Sequence, residues 1–387
     1  MIVENLPVPF DRRIWQEANA LYAAGYRVSV ICPQAEGYTE AYAEIDGIAI
    51  HRHPLPVEAE SAIGYPIEYA TALFWQLRLA RRIHRETPVD VIHAANPPDT
   101  AFIVAALARL AGVRFVFDHH DLCPELFEAK FGRRGTAYWL LRALERATFA
   151  TASVSIATND SFKRIACRRG GMAAENVFVV RSGPNLDRVY PVAPDPTLKR
   201  GRRHLVGYVG VMGEQEGLSD LLAVIADLVY RRERHDIQFC LVGFGPSLAG
   251  LKHEAEALGI AEYVDFPGRL AGEDLLRVLS TADVCVSPDP KNAMNDQSTM
   301  NKILEYMALG KPLVQYDLVE GRVSAGEAAL YAQPGNTGHF ADQLLALIDD
   351  APRRAVMGAA GRARIEAELA WPHEVPTLLA AYERVWS

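Results

Sequence analysis

The sequence has few cysteines, and no pattern joins them. The five cysteines of the 387-residue chain are far apart and form no C-x-x-C pair, which is typical of reduced thiols rather than of disulfides or a zinc site. The longest apolar run, residues 101–117, contains Arg109 and Arg114 and so predicts a helix and a strand rather than a membrane span. The first residues lack the features of a signal peptide. We therefore expect a cytoplasmic protein.

Positive charge is not in excess either. The formal net charge of -8 argues against nucleic acid as a bulk partner. Residues 1–190 hold 21 Lys/Arg and 21 Asp/Glu, so the rest of the chain carries the whole net charge. Half of the residues are hydrophobic, which is enough to fill cores and argues against disorder.

Short β-branched runs alternate with longer amphipathic stretches along the chain. This alternation predicts an α/β fold with parallel sheets covered by helices on both faces. The series occurs twice, on either side of a proline-rich stretch at residues 184–203, which predicts two doubly wound domains. We predict a first domain at 1–185, a linker at 186–203, a second domain at 204–368 and a docked C-terminal helix at 369–387. The opening strand, residues 1–4, would be short.

Candidate site residues are sought after the strands, because ligands of open parallel sheets bind beyond the carboxyl ends. The loop after the first strand contains Asn5, Pro9 and Arg12 but no G-x-G-x-x-G, which argues against a nicotinamide-binding domain. This loop either contacts an acceptor or is a plain entry to a helix. Asn96, in a proline-rich turn after a later strand, either faces a ligand or caps its turn.

Four polar residues, Asp118-His119-His120-Asp121, follow the next strand. An imidazole there can donate a hydrogen bond to a sugar hydroxyl or take a proton near neutral pH. Neighbouring histidines on a strand point to opposite faces and chelate poorly, so we predict no metal site. The alternative is one solvated histidine, with Asp121 as a helix cap.

The second domain contains two glycine loops and one polar helix start. The loops contain Gly210 and Gly213 after one strand and Gly243 and Gly245 after the next, which lets a ligand approach the backbone. Ser298 or Thr299 is predicted to start a helix that ends at Gly310, with positions 298, 302 and 305 on one face. Lys302 on a phosphate and Glu305 on a ribose diol would suit a nucleotide diphosphate. The alternative is a solvated Lys302–Glu305 pair.

Several motifs together resemble glycosyltransferase family 4, a GT-B family of retaining enzymes, over nearly the whole chain. They are Asn5-x-Pro-x-Pro-Phe-Asp-Arg-Arg-x-Trp15, Asn96-Pro-Pro-Asp-Thr100, Asp118-His-His-Asp-Leu-x-Pro-Glu125 and Ser298-Thr-Met-Asn-Lys-Ile-Leu-Glu-Tyr-Met-Ala308. The resemblance implies two Rossmann-like domains facing a central cleft and a C-terminal helix that crosses back to the first domain. It implies transfer of a sugar from a nucleotide-diphosphate sugar, a UDP- or GDP-sugar, in cell-surface polysaccharide, glycolipid or related glycan synthesis. No metal or other cofactor is implied.

Carried over by position, the resemblance makes His120 the residue near the transferred sugar and the leaving phosphate. Gln297 stands where the family has the first acid of its Glu-x7-Glu motif, and Glu305 is the second. Glu216 stands where the family often has a phosphate-binding lysine, so Lys302 is our candidate cation. The donor is further expected to contact Gly210, Gly213, Gly243, Gly245, Ser298 and Thr299, and the acceptor Asn5, Pro9, Arg12, Asn96, His119 and Asp121.

The departures at positions 216 and 297 leave two alternatives open. One is a catalytically degenerate GT-B partner or regulatory subunit, and the other is a sugar-nucleotide epimerase. Segments 75–85 and 130–146 mix arginine with aromatic and aliphatic residues. They predict either peripheral contact with an anionic membrane that holds a lipid-linked acceptor, or two ordinary amphipathic helices.

Overall fold

The computed structural model describes residues 1–35, 37–54 and 64–387, which form two compact units. The first unit comprises Met1–Ser182 and Pro372–Ser387, and the second comprises Gly183–Trp371. The stretch expected to be a linker belongs to the second unit. There, the backbone N–H of Val192 donates to Ser280 Oγ at 3.1 Å, and that of Asp195 donates to Thr281 Oγ1 at 2.8 Å.

The first unit alternates strands and helices as the sequence predicts. Its strands are β1 (Ser29–Pro33), β2 (Tyr42–Ile45), β3 (Ile48–His53), β4 (Val91–Ala95), β5 (Arg114–His119), β6 (Val154–Ala157) and β7 (Val177–Val179). Its helices are α1 (Arg12–Ala23), α2 (Gly64–Glu86), α3 (Phe102–Arg109), α4 (Cys123–Phe131), α5 (Thr136–Thr151) and α6 (Asp160–Arg168).

The strands of this unit are parallel except for β2, which pairs antiparallel with β3 at the edge. Two groups, in the orders β2-β3-β1 and β4-β5-β6-β7, are joined through Ile2, which bridges Ile31 of β1 and Ala94 of β4. The short opening strand is thus a single bridging position at the centre of the sheet. The loops after Ile2, β4 and β5 meet at one edge, which is where the sequence places the first group of site residues.

Helix α1 carries charged residues on its buried face. Asp11 is the N-cap, because its side chain accepts a hydrogen bond from the backbone N–H of Ile14 at 3.0 Å. This cap fixes the start of the helix at Arg12, and the side chain of Arg12 lies on the exposed face. Arg13 and Glu17, four positions apart, are buried together beside Ile14.

The second unit repeats the alternation. Its strands are β8 (His204–Val211), β9 (Ile237–Phe244), β10 (Val264–Gly268), β11 (Val284–Ser287), β12 (Leu313–Tyr316) and β13 (Ala329–Ala332). Its helices are α7 (Leu218–Ala226), α8 (Leu248–Ala257), α9 (Gly272–Thr281), α10 (Asn301–Ala308), α11 (Val319–Ala325), α12 (Thr337–Ile348) and α13 (Ala351–Arg364), with π-helical turns at Asp227–Arg231 and Ile365–Leu369. Short 3₁₀ turns include Pro196–Lys199, Glu214–Glu216 and Asn295–Gln297.

The second sheet is parallel throughout, in the order β10-β9-β8-β11-β12-β13. This is the doubly wound order, and its switch point lies between β8 and β11. Strand β8 is buried on both faces, since its successive residues Leu205 and Val206 pack into different hydrophobic clusters. The switch point is where a ligand of such a sheet is expected to bind.

Helix α10 begins later than predicted. Met300 is its N-cap and Asn301 its first residue, whereas Ser298 is extended and its Oγ donates back to the carbonyl of Met294 at 2.8 Å. The prediction that Ser298 or Thr299 starts the helix is therefore wrong. Lys302 and Glu305 do share the helix, but Ser298 lies outside it.

The C-terminal helix α14 (Trp371–Arg384) packs on the first unit, as predicted. Glu374 accepts a hydrogen bond from the backbone N–H of Arg181 at 2.9 Å, and Arg384 Nε donates to Asn176 Oδ1 at 2.8 Å. Among the described helices, none combines the length and the apolar character needed to cross a bilayer.

Candidate active-site clusters

A buried ionic cluster lies at the carboxyl edge of the first sheet. We call Arg13, Glu17, His93, Asp118 and His120 the Asp118 cluster. Arg13 Nη2 donates to Asp118 Oδ1 at 2.8 Å and lies 3.1 Å from Glu17 Oε1, and Arg13 Nη1 donates to the carbonyl of Val180 at 2.8 Å. Arg13, not its neighbour Arg12, is therefore the cation of this site.

His120 is the member of the cluster that reaches the surface, with 15 % of its side chain exposed. Its Nε2 lies 2.5 Å from Asp118 Oδ2. Burial lowers the pKa of His120, but the Asp118 carboxylate more than offsets this, and the net pKa is raised. Burial raises the pKa of the Asp118 carboxyl, but the positive charges of Arg13 and His120 hold this pKa well below its usual range. Arg13 Nε lies 2.7 Å from the same His120 Nε2. Asp118 therefore favours a proton on this nitrogen, and Arg13 opposes it.

Arg13 disfavours a metal ion in the Asp118 cluster. Ligand atoms of Glu17, Asp118 and His120 lie within 4.8 Å of one another. The guanidinium of Arg13 already pairs with both carboxylates, at 3.1 Å and 2.8 Å. A divalent cation would have to bind beside the positive charge of Arg13. The two carboxylates are therefore better explained by their ion pairs with Arg13 than by a metal site.

Asn96 holds the turn that carries His120. Its Oδ1 accepts hydrogen bonds from the backbone N–H groups of His120 at 2.7 Å and Asp121 at 3.1 Å, and its Nδ2 donates to the carbonyl of Asp121 at 2.8 Å. Asn96 is only 2 % exposed. Of the two interpretations of Asn96, the structure supports the turn cap over a direct acceptor contact.

The other residues expected on the acceptor side are less uniform. Asn5 and Arg12 are exposed, whereas Pro9 and Asp121 are partly buried. His119 is fully buried against the rings of Phe149 and Phe162, and burial lowers its pKa to about 3. His119 is thus a neutral core residue, because strand β5 alternates its faces, and it has no surface at which to meet an acceptor.

A second ionic cluster lies at the switch point of the second sheet. We call Tyr208, Glu216, Asp289 and Lys302 the Lys302 cluster. Lys302 Nζ donates to Glu216 Oε2 at 2.6 Å and to Asp289 Oδ1 at 2.9 Å, and it lies 4.9 Å from the ring centroid of Tyr208. Glu216 follows β8 and Asp289 follows β11, so the two carboxylates converge because those strands are adjacent.

This cluster contains more negative than positive charge. Burial lowers the pKa of Lys302, but Asp289 and the other neighbours raise it well above its usual range. Burial raises the pKa of Glu216, Lys302 lowers it and Asp289 raises it, and the net pKa is raised. Lys302 is therefore neither the solvated partner of Glu305 nor a free cation, since two carboxylates share its charge.

The glycine loops beside this cluster are held together by close backbone contact. Gly210 and Gly243 are register partners, and a Cβ on Gly243 would lie 1.9 Å from the carbonyl oxygen of Gly210. A Cβ on Gly245 would lie 2.6 Å from the carbonyl oxygen of Met212. Backbone packing alone explains these two glycines, and ligand contact remains a prediction. Gly213 is buried where the chain enters the Glu214–Glu216 turn.

The remaining donor-side residues frame the start of α10. Gln297 Nε2 donates to the carbonyl of Ala293 at 2.7 Å, so its amide is folded onto its own turn. Thr299 and Glu305 are partly buried. The hydroxyl of Tyr306 accepts from the backbone N–H of Val209 at 3.0 Å and donates to the carbonyl of Val286 at 3.2 Å. Tyr306 thus fixes α10, and Lys302 with it, across β8 and β11.

A separate cavity of about 500 Å³ lies at the opposite, amino-terminal edge of the second sheet. Three basic residues line it, and each already bonds within the protein. Lys199 pairs with Asp283, Lys311 donates to the carbonyl of Ser280, and Arg354 donates to that of Leu347. No predicted site residue lines this cavity.

Sequence reasoning missed Arg13, Glu17 and Asp289. A signal for the first two existed, because a basic and an acidic residue four positions apart fall among apolar residues of α1. Asp289 had no local signal. It follows β11 within Ser287-Pro288-Asp289-Pro290, and only the strand order brings it to Glu216.

Comparison with known proteins gives matches over both units. The description "Glycosyl transferase 4-like domain" matches residues 11–183, and "Glycosyl transferases group 1" matches residues 203–350. The 2-deoxystreptamine glucosyltransferase of Streptomyces kanamyceticus is 22% identical, over 96% of this chain and 98% of its own. A GDP-mannose-dependent phosphatidylinositol monomannoside mannosyltransferase of Mycobacterium tuberculosis is 26% identical, over 75% of each chain.

Solved structures with the same fold extend these matches. Sucrose-phosphate synthase from Thermosynechococcus elongatus superposes with a TM-score of 0.83 at 19% identity, over 100% of this chain and 98% of its own. The Anabaena protein HepE, in complex with UDP and glucose, gives a TM-score of 0.72 at 17% identity over 99% of both chains. At these identities the likeness concerns the fold.

Proposed function

Because this chain belongs to glycosyltransferase family 4 and is a glycosyltransferase of the GT-B fold, we propose that it transfers a sugar from a nucleotide-diphosphate sugar to an acceptor hydroxyl, with retention of configuration. The observation that carries the proposal is the Lys302 cluster at the switch point of a doubly wound sheet, where nucleotides bind. In this proposal the second unit binds the donor and the first unit binds the acceptor.

The donor is a UDP- or GDP-sugar in this proposal. One relative is a glucosyltransferase, another is named for GDP-mannose, and one structural neighbour was solved with UDP and glucose. Glu305 is assigned to the ribose diol and Lys302 to the diphosphate. The mannosyltransferase relative, named for a phosphatidylinositol mannoside, favours a lipid-linked alcohol as acceptor in glycolipid or related glycan synthesis.

Transfer proceeds on one face of the donor sugar. The acceptor oxygen bonds to the anomeric carbon, the bond from that carbon to the β-phosphate oxygen breaks, and the acceptor proton passes to the leaving diphosphate. His120 donates a hydrogen bond to the sugar or the leaving group, with its charge supported by the ionised Asp118 beneath it. This scheme requires no metal.

Calorimetry with UDP-, GDP-, ADP- and dTDP-sugars tests the donor assignment. We expect one nucleotide class to bind, and we expect Lys302→Ala to weaken its affinity about tenfold or more, as loss of a partly buried charge contact should. Lys252→Ala, on the exposed surface of α8, is the matched control and should bind as the natural chain does. Full affinity in Lys302→Ala would remove Lys302 from the donor site.

Product analysis separates the transferase from its alternatives. Two carboxylates surround Lys302, and their negative charge disfavours binding of a diphosphate. This observation favours the alternative of a non-catalytic subunit. Turnover of a donor by the isolated chain would exclude that alternative. An epimerised sugar nucleotide formed without any acceptor would indicate an epimerase instead.

Peripheral membrane contact is a second proposal for the first unit. Trp139 and Leu140 on α5 are each 60% exposed, and Arg142 lies 6.0 Å from the ring of Trp139. Exposed apolar side chains beside arginine suit the headgroup region of an anionic bilayer. Phosphatidylglycerol vesicles at low salt should bind the natural chain and, less tightly, the Trp139→Ser/Leu140→Ser variant, with Val356→Ser as control. Equal binding of all three would contradict this role.

A further inference from the structure

The Asp118 cluster continues into the C-terminal helix through two buried side chains. Nε2 of His93, on β4, lies 3.4 Å from Asp118 Oδ2 and 3.3 Å from Glu17 Oε2, and its Nδ1 lies 2.9 Å from the hydroxyl oxygen of Tyr382 on α14. His93 is 0% exposed and Tyr382 4%. Tyr382, His93, Asp118 and His120 therefore form a continuous polar chain from α14 to the partly exposed ring.

Helix α14 also supports the cluster by a second route. The Glu374 carboxylate accepts the backbone N–H of Arg181, and the preceding residue, Val180, accepts a hydrogen bond from Arg13 through its carbonyl. Arg13 in turn pairs with Asp118. The same helix thus meets the Asp118 cluster at two separate points.

The carboxylates beside His93 favour the charged form of its ring. Burial lowers the pKa of His93, but hydrogen bonds and charge from Asp118 and Glu17 more than offset this, and the net pKa is raised. In the charged form, both ring nitrogens carry protons. Nε2–H points to the carboxylates, and Nδ1–H donates to the Tyr382 oxygen.

Removing the Tyr382 hydroxyl would leave a buried Nδ1–H without its acceptor, which disfavours cationic His93. Without the positive charge of His93, the negative charge of Asp118 would act more strongly on His120 and raise the pKa of His120 further. The other charged groups around this chain are Arg13, Glu17 and Asp11 from α1, Asp121 after β5 and Glu374 from α14.

We propose that Tyr382 and His93 are positioning residues for His120, so that the C-terminal helix sets how firmly the site holds its proton. The relevance of this coupling to catalysis rests on the proposed function of His120. The coupling itself is measured on the free protein, without donor or acceptor, so its failure and that of the proposed function are distinguishable.

Histidine titration by NMR tests the proposal on full-length protein labelled with ¹³C at histidine Cε1. His93→Gln and His120→Gln assign the two signals. In Tyr382→Phe we expect the His93 midpoint to move to lower pH and the His120 midpoint to higher pH. Arg384→Met, which breaks the contact of α14 with Asn176 but not the polar chain, is the matched control and should move neither.

His93→Gln provides a second variant should Tyr382→Phe fail to fold. It keeps a polar group but removes the charge, so the His120 midpoint should again move to higher pH. Unchanged His120 titration in both variants would overturn the proposal, as would an equal shift in Arg384→Met. In turnover assays, the pH midpoint of kcat should move with that of His120 while KM stays constant, whereas loose docking of α14 would change both.

Discussion

The two units place ionic clusters at the same edge of similar sheets, yet the clusters differ in sign. In the Asp118 cluster, the guanidinium of Arg13 and the imidazoles of His93 and His120, whose pKa values are raised, meet two carboxylates. In the Lys302 cluster, one ammonium meets two carboxylates. The sheet topology fixes where a site lies, and the buried side chains fix its charge, so similar folds can present opposite electrostatics. A comparison of charge-neutralising variants in each unit tests this difference directly.

The largest effect is expected from Asp118→Asn, which removes the carboxylate that Arg13, His93 and His120 share. Uncompensated buried cations should lower the free energy of unfolding by about 3–5 kcal/mol. Urea unfolding measures this. Asp160→Asn, which breaks the exposed pair with Arg181, is the control and should cost no more than about 1 kcal/mol. Equal stability of the two variants would mean that the ion pairs of the Asp118 cluster do not stabilise the fold.

The next largest effect is expected from Glu216→Gln, which should strengthen nucleotide binding rather than weaken the protein. Removing one of two carboxylates beside Lys302 should tighten binding of the preferred nucleoside diphosphate about tenfold. Because the pKa of Glu216 is raised and a diphosphate favours its protonated form, affinity of the natural chain should fall as pH rises through that pKa. Glu216→Gln should abolish that part of the pH dependence.

Calorimetry at several pH values measures both effects. Glu214→Gln, at an exposed position of the same 3₁₀ turn, is the control and should keep the natural affinity and pH dependence. Weaker binding in Glu216→Gln would show that Glu216 contacts the ligand rather than opposing it.

The smallest effect is expected from Tyr306→Phe, which removes the hydroxyl that ties α10 to β8 and β11. Loss of the buried contacts with Val209 and Val286 should cost about 1 kcal/mol of stability. Tyr230→Phe, at an exposed hydroxyl bonded to Gly259, should cost less. Thermal unfolding that ranks these variants in reverse would contradict the role of Tyr306 as a clamp.

The alternation of strands and helices made most of the fold predictable, because buried parallel strands are short continuous apolar runs and the helices between them are amphipathic. The antiparallel edge strand β2 was missed, since Tyr42–Ile45 is half exposed and short. Its turn had a signal in Asp46-Gly47, where both residues have positive φ (53° and 78°), as two-residue hairpin turns require. The start of α10 was misplaced because Ser298 is an acceptable cap by type but bonds to the preceding turn.

The candidate sites were only partly predictable. His120 follows β5 and Lys302 lies in a polar segment at the start of α10, so local sequence and the family resemblance make both of them candidates, and their roles stay predictions. Their counter-charges come from distant parts of the chain, since Arg13 meets Asp118 across 105 positions and Lys302 meets Glu216 across 86. Hydrophobic periodicity has no information on such pairings. The acceptor role of Arg12 stays a prediction. The buried cation of the Asp118 cluster is its neighbour Arg13, because one residue changes the helix face and the Asp11 cap determines which arginine is buried.

The contact between the glycine loops limits which positions of the second unit can be varied. A side chain at position 243 or 245 would collide with main-chain oxygens of the neighbouring loop, so both positions should stay fixed in any library. Phe244 and Pro246 alternate with them and are exposed, and Phe244 is 48% accessible beside Arg269. Randomising these two positions alone would vary the surface at the carboxyl end of β9 while the pairing of β9 with β8 stays in register.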